Sequence, residues 1–105
     1  MDQKKVSNSF QVFLEEAPEH ASAWMETVKK LDSASCLDKK TEEIAYIAVL
    51  AAIGLESGIP FHVSSAKESG ATRDEIKSAV LLGLPAVGNQ VVKSLAIALE
   101  AFDGI

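Results

Sequence analysis

The chain of 105 residues has a single cysteine, Cys36, and this scarcity excludes several kinds of chemistry. One thiol cannot form a disulfide within the chain, and it cannot supply the dithiol pair that redox enzymes of the CxxC type require. Cys36 also lacks the cationic neighbours that activate a thiol, so we expect a buried or half-buried side chain without a reactive role. We expect neither a bound metal ion nor a cofactor.

Long basic and long apolar runs are also missing. The formal net charge is −5, and the lysines occur as isolated pairs on mixed surfaces, so we expect no nucleic-acid partner. The longest apolar run, residues 44–55, is shorter than the roughly 20 residues that a membrane-spanning helix needs. Residues 1–9 contain no apolar signal core. The sequence predicts a cytoplasmic protein that does not cross a membrane.

What the chain has in abundance is apolar residues, which make up nearly half of it and recur at spacings of three and four. Alanine is frequent, which favours helices over strands. With no linker, repeat or low-complexity tract, we predict one all-α domain over residues 1–105 with about six helices. The predicted helices begin near Val6, at Pro18, after Asp38, at Pro60, after Thr72 and at Gln90.

Local signals predict several helix ends. Asp38 is a plausible N-cap for the third helix, and Thr72 with Glu75 has the spacing of a capping box for the fifth. Pro85 is expected to end or kink that fifth helix. The third and last helices are apolar on almost every side, which is more apolar surface than a domain of this length easily covers. We therefore predict an oligomeric protein.

The better candidate for chemistry among the two histidines is His62. It follows a bend bracketed by Gly54 and Gly58 and stands next to Phe61 in the first turns of a predicted helix, where an imidazole can face a pocket and exchange protons near neutral pH. On position alone, a structural histidine is the simpler interpretation. His20 lies in the charged opening of the second helix, and we predict a solvated surface residue.

Two glutamates are candidate partners for His62. Glu43 stands where the polar start of the third helix meets its apolar part, so burial could raise its pKa and suit it to acid or base chemistry. The alternative, favoured by sequence alone, is simple helix-start electrostatics. Glu56 in the bend is either a site carboxylate or an exposed loop residue. We predict that His62 shares a pocket with one of them.

Distance bears on the choice of partner. Glu43 precedes Leu55 by twelve residues, about 18 Å along a straight helix. The sequence therefore leaves open whether Glu43 meets His62 within one chain or across subunits.

Three segments together, residues 40–54, 61–63 and 68–76, resemble the carboxymuconolactone decarboxylase-like family. The combination consists of an apolar helix ending in a glycine, a histidine eight residues later, and the motif Gly-Ala-Thr-x-x-Glu-Ile at residues 70–76. The resemblance implies an all-helical fold of the alkyl hydroperoxide reductase D-like type, a small-molecule substrate, and assembly as a homotrimer or homohexamer.

The resemblance also implies roles for particular residues. Peroxidases of this group carry a Glu, a CxxC pair and a His, which fall here on Glu43, on Leu55 and Gly58, and on His62. The decarboxylase branch, which is similar to this chain in lacking the cysteine pair, implies proton transfer to or from a small carboxylated substrate. His62 would be the general acid/base and Glu43 its orienting or proton-relaying partner.

Three hypotheses follow from this resemblance. The first is a lyase- or isomerase-type enzyme with His62 and Glu43 as catalytic residues, and with Glu56 and Phe61 in contact with the substrate. The second is a peroxidase-like antioxidant protein, which requires Cys36 close to His62. The third is a non-catalytic oligomeric binding module. The bend carries no Arg or Lys to bind a substrate carboxylate, so the resemblance does not identify the substrate.

Overall fold

The structure, a computed structural model, describes residues 6–104, and in this range the chain is helical without any β-strand, so the predicted all-α class is confirmed. The α-helices are α1 (Asn8–Glu16), α2 (Pro18–Ala34), α3 (Lys39–Ile53), α4 (Ile59–Glu68), α5 (Arg73–Leu81), α6 (Leu84–Val87) and α7 (Leu95–Asp103). Two 3₁₀ segments, Glu56–Gly58 and Gly88–Ser94, precede α4 and α7. If Arg73–Asp103 is counted as one helix, the described residues form five helices, against about six predicted. The predicted lack of a signal segment concerns residues 1–9, of which 1–5 lie outside the described residues.

The helix starts that the sequence predicts by capping are confirmed. Asp38 is the N-cap of α3, and its carboxylate accepts a hydrogen bond of 2.8 Å from the Thr41 N–H. At the start of α5, the Glu75 N–H donates to Thr72 Oγ1 at 3.1 Å, and the Thr72 N–H donates to Glu75 Oε1 at 2.9 Å. Such contacts satisfy backbone N–H groups that a helix leaves without partners.

The C-terminal region differs from the prediction of an α-helix starting at Gln90. Residues Gly88–Ser94 form a 3₁₀ segment, and α7 begins at Leu95. Gly88 has a φ of +68°, a left-handed conformation that glycine adopts without the steric cost of a Cβ, so a right-handed α-helix does not continue through it. Pro85 lies in the first turn of α6, where its missing N–H is tolerated.

One segment among the described residues, Arg73–Asp103, is by length and composition alone long and apolar enough to cross a membrane; its most apolar 18-residue stretch has a mean hydropathy of 1.4. Its α-helical parts are no longer than nine residues, about 14 Å, roughly half of the ~30 Å that a hydrocarbon core measures. Several of its side chains lie in the hydrophobic core, namely Ile76, Val80, Val91 and Ala98. Of its most apolar 18-residue stretch, 17% is buried.

The chain divides into two compact units between Leu37 and Asp38. In the first unit α1 contacts α2, and Ala21 is its one buried side chain among the described residues. The second unit holds α3 to α7 and the hydrophobic core, whose fully buried centre consists of Ile47, Ile59, Val63, Ile76, Val80 and Val91. The single domain over residues 1–105 stays a prediction.

Helix α3 has apolar side chains on two faces, as the sequence predicts. The face toward the core carries Glu43, Ile47, Leu50 and Ala51. A second face carries Tyr46, Val49 and Ile53, all of which are exposed. The buried face therefore begins with a carboxylate, and the second face leaves apolar surface uncovered.

Candidate functional site

Glu43 is a buried carboxylate on the core-facing side of α3. It lies four residues, about one helical turn, before the fully buried Ile47, so both side chains share one face. The Glu43 side chain is 8% exposed. Burying an ionised carboxylate costs free energy unless hydrogen bonds replace those to water, so the partners of its two oxygens determine its state.

Both carboxylate oxygens of Glu43 have a partner. Oε2 lies 2.8 Å from Nδ1 of His62, and Oε1 accepts a hydrogen bond of 2.9 Å from Nζ of Lys39, one turn earlier in α3. Burial raises the pKa of Glu43, but the hydrogen bonds and charges of His62 and Lys39 together lower it by more, so that it lies below its usual value. Of the two interpretations that the sequence allows, the one in which burial raises this pKa does not hold, and Glu43 is ionised at neutral pH.

The ionised Glu43 determines which ring nitrogen of His62 carries the proton. A carboxylate only accepts hydrogen bonds, so Nδ1 donates to Oε2. The neutral ring then has its lone pair at Nε2, and the protonated ring has its second proton there. Nε2 is therefore the ring atom at which His62 can exchange a proton with another molecule.

Two aromatic rings orient the imidazole of His62. The Tyr46 ring on α3 lies 4.6 Å from it and the Phe61 ring on α4 lies 5.2 Å from it, both edge-on, an arrangement that aromatic pairs prefer. The His62 side chain is 26% exposed. The ring is thus held by three neighbouring side chains and still reaches solvent.

One chain supplies both members of the pair, because the bend folds back along α3. Gly54 ends α3 in a left-handed conformation, and a Cβ added to Gly58 would lie 3.4 Å from the Leu50 side chain. His62 lies about 6 Å after Gly58 along α4, and Glu43 lies about 10 Å before Leu50 along α3. The side chains of His62 and Glu43 bridge the distance that remains between the two helices. The question that the sequence left open is answered: the contact lies within one chain.

The other residues predicted to contact substrate have different positions. Phe61 contacts the His62 ring. Glu56 is half-buried at the start of its 3₁₀ segment, and no hydrogen bond or ion pair within residues 6–104 joins it to His62 or Glu43. The proximity of Glu43 and His62 is observed, whereas the catalytic roles of these two and the substrate contacts of Glu56 and Phe61 stay predictions.

Cys36 is exposed, so the expectation of a buried thiol is wrong; it lies in the short connection after α2, outside any helix. His20 is exposed, as predicted. Residues 38–105 contain no cysteine, and Leu55 and Gly58 occupy the positions of the family's cysteine pair. In the described part of the chain, no group of three or more His, Cys, Asp or Glu side chains is placed to hold a metal ion.

Lys39 and Tyr46 are not among the site residues that the sequence predicts. Both can be predicted from the sequence once Glu43 is taken as a site residue. Lys39 lies four residues before it and Tyr46 three residues after it, and these are the spacings at which side chains on a helix contact each other.

A comparison with protein families places these residues in a known group. The model of the carboxymuconolactone decarboxylase family matches residues 18–101, a range that includes Glu43 and His62. No curated protein and no solved structure matches the chain. Because the family match covers most of the sequence, the protein belongs to the carboxymuconolactone decarboxylase family.

Proposed function

We propose that the protein is an acid/base enzyme of the lyase or isomerase type that acts on a small carboxylated molecule. The observation that carries this proposal is the 2.8 Å contact between Glu43 Oε2 and His62 Nδ1. The carboxylate holds the ring in one tautomer and stabilises the charged ring that forms when Nε2 accepts a proton. The same atom can then return that proton to the product.

The burial of the pair supports a role beyond fold stability. Bringing a carboxylate and an imidazole out of water costs free energy that their attraction only partly recovers, and apolar side chains of similar volume often stabilise a fold equally well. A buried carboxylate that contacts a partly exposed titratable ring is typical of sites that transfer protons.

The proposed chemistry needs only the exchange of a proton at Nε2. In a decarboxylation, the bond between carbon and the carboxylate breaks, carbon dioxide leaves, and the electron pair stays on carbon. That carbon takes the Nε2 proton, and the neutral ring is reprotonated from solvent. In an isomerisation, neutral Nε2 removes a proton from one carbon and returns it to another.

The test is turnover of a panel of small unsaturated lactone carboxylates in deuterated water. Loss of carbon dioxide or uptake of deuterium is followed by NMR. His62→Gln and Glu43→Gln should each lower the rate by roughly 10²–10⁴-fold, the usual contribution of acid/base catalysis. Glu75→Gln, which alters an exposed carboxylate, is the matched control and should retain the rate. Wild-type turnover by His62→Gln would overturn the proposal.

The two remaining hypotheses give different results in the same assays. A peroxidase would reduce organic hydroperoxides in the presence of a thiol reductant and lose that activity in Cys36→Ser. A binding module would turn over neither substrate class, and His62→Ala would leave its ligand affinities unchanged.

We also propose that the protein self-associates, as a homotrimer or homohexamer. Exposed apolar side chains of the second unit support this, since large uncovered apolar surfaces commonly mark association sites. They include Val49 and Ile53 on α3 and Leu82, Leu84, Val87 and Val92 further along the chain. Sedimentation velocity should show an oligomer that Val49→Asp weakens, and a monomeric wild-type protein at high concentration would contradict the proposal.

A further inference from the structure

We infer that Lys39 binds the anionic group of the small molecule on which His62 acts. This inference rests on the proposed function of the Glu43–His62 pair and adds a residue that recognises the substrate. The bend before α4 carries no lysine or arginine, so a cation for a substrate carboxylate must come from elsewhere in the fold. The first turn of α3 supplies it.

The first argument is the difference in exposure among three side chains that two hydrogen bonds join. Glu43 is 8% exposed, His62 is 26% exposed, and Lys39 is 56% exposed. The Lys39 ammonium is held 2.9 Å from Glu43 Oε1, whose other oxygen contacts His62. An anchored ammonium that is more than half exposed presents positive charge to solvent at a defined position beside the imidazole.

The second argument is the position of other cations in the second unit. The described contacts of four of them lie elsewhere: Lys40 with Glu75, Lys67 with the Phe102 carbonyl, Arg73 with Asp103, and Lys77 with Asp74. A fifth, Lys93, lies in the 3₁₀ segment before α7. Lys39 is held instead on the carboxylate that orients His62. A molecule whose reacting carbon lies at His62 therefore meets this ammonium within one small site.

The third argument is charge. Protonation of His62 adds one positive charge beside the ion pair of Lys39 and Glu43. An anion bound there would compensate this added charge in the state in which His62 is ready to donate a proton. Lys suits this task because its ammonium is a compact point charge with three donors.

The fourth argument is the spacing of these residues on α3. Lys39, Glu43 and Tyr46 are spaced by four and three residues, so their side chains are neighbours where the buried face of the helix meets its exposed face. The Tyr46 ring contacts His62 and is 45% exposed. A cation and an aromatic ring, about 10 Å apart along the helix, fit a small organic anion with an apolar or unsaturated body.

Benzoate and its neutral isostere benzamide are suitable probes, because they share a ring and differ in charge. NMR resonances of the His62 ring would be followed during titration of the full-length protein at constant pH and ionic strength. Benzoate should shift them in a saturable way, and benzamide should bind at least about tenfold more weakly. Lys39→Gln should weaken benzoate binding by a similar factor, and Lys39→Arg should retain most of it.

Lys40→Gln is the matched control, because it removes an equal charge from the next residue of the same turn. It should leave benzoate affinity unchanged, and thermal unfolding would verify that each variant is folded. The inference is overturned if wild-type protein gives no saturable shift, if Lys39→Gln binds benzoate normally, or if both lysine variants lose affinity equally. The proposed function fails separately, through undiminished turnover by His62→Gln.

Discussion

Two glutamates of the second unit, Glu43 and Glu75, each bind a lysine from the first turn of α3. Lys39 lies 2.9 Å from Glu43, and Lys40 lies 2.9 Å from Glu75. The lysines are adjacent in sequence and the contacts are equal in length. The two carboxylates nevertheless differ in burial, since the Glu75 side chain is 38% exposed and the Glu43 side chain is 8% exposed.

The second contact of each carboxylate explains the difference. Glu75 accepts the backbone N–H of Thr72 in a capping box, so the start of α5 accounts for its position. Glu43 instead holds the ring of His62, and no helix start requires this contact. Similar ion pairs therefore have different uses: the exposed one stabilises a helix end, whereas the buried one sets the state of a titratable ring.

The largest expected difference between the two sites is in stability. Glu43→Ala leaves His62 Nδ1 without its acceptor and opens a small cavity, which should lower the free energy of unfolding by about 1–3 kcal/mol. Glu75→Ala should cost less, because water replaces the lost contacts. Urea denaturation followed by circular dichroism measures both. Equal losses would remove the distinction between a buried and an exposed site.

The two glycines that end α3 and α4 sharpen the comparison. Gly54 has a φ of +75° and Gly70 a φ of +97°, so alanine at either position should cost about 1–2 kcal/mol. At Gly54 the new Cβ would also overlap the Gln90 side-chain amide, whereas nothing lies within 4 Å of it at Gly70. Only Gly54→Ala should therefore shift the His62 ring resonances. A larger shift in Gly70→Ala would show that the bend does not position His62.

The smallest expected effect is the change in the stability of the fold at acidic pH. Because the pKa of Glu43 is lowered in the folded protein, its ionised form stabilises the fold above the usual carboxyl pKa of about 4.3. This stabilisation is lost as the pH falls through the lowered pKa. The stability advantage of wild type over Glu43→Gln should thus shrink as the pH falls below the usual carboxyl pKa. An advantage that stays constant throughout an acid titration would contradict the lowered pKa.

The sequence predicts most of the helix ends, because the signals are local. Asp38 and Thr72 form caps with residues three positions away, and such contacts are readable from spacing alone. The start of α7 was mispredicted because the apolar pattern continues through the 3₁₀ segment. There Gly88 takes a left-handed conformation and Val91 is fully buried, so packing across the fold overrides local helix propensity.

The site was predictable only in part. Resemblance to a family identified Glu43 and His62, but their contact within one chain depends on how the bend packs against Leu50. The sequence left the direction of the Glu43 pKa open, because it indicates burial and does not show which hydrogen-bond donors meet the carboxylate. Lys39 was not predicted, because a cation for the substrate carboxylate was expected only in the bend.

The most direct test is the ring tautomer of neutral His62, measured by ¹⁵N NMR with His20→Asn for assignment. The ionised Glu43 should hold the proton on Nδ1 and leave the lone pair on Nε2. Glu43→Leu, which removes the acceptor, should abolish that preference. A wild-type ring protonated mainly at Nε2, or one unaffected by Glu43→Leu, would contradict the account.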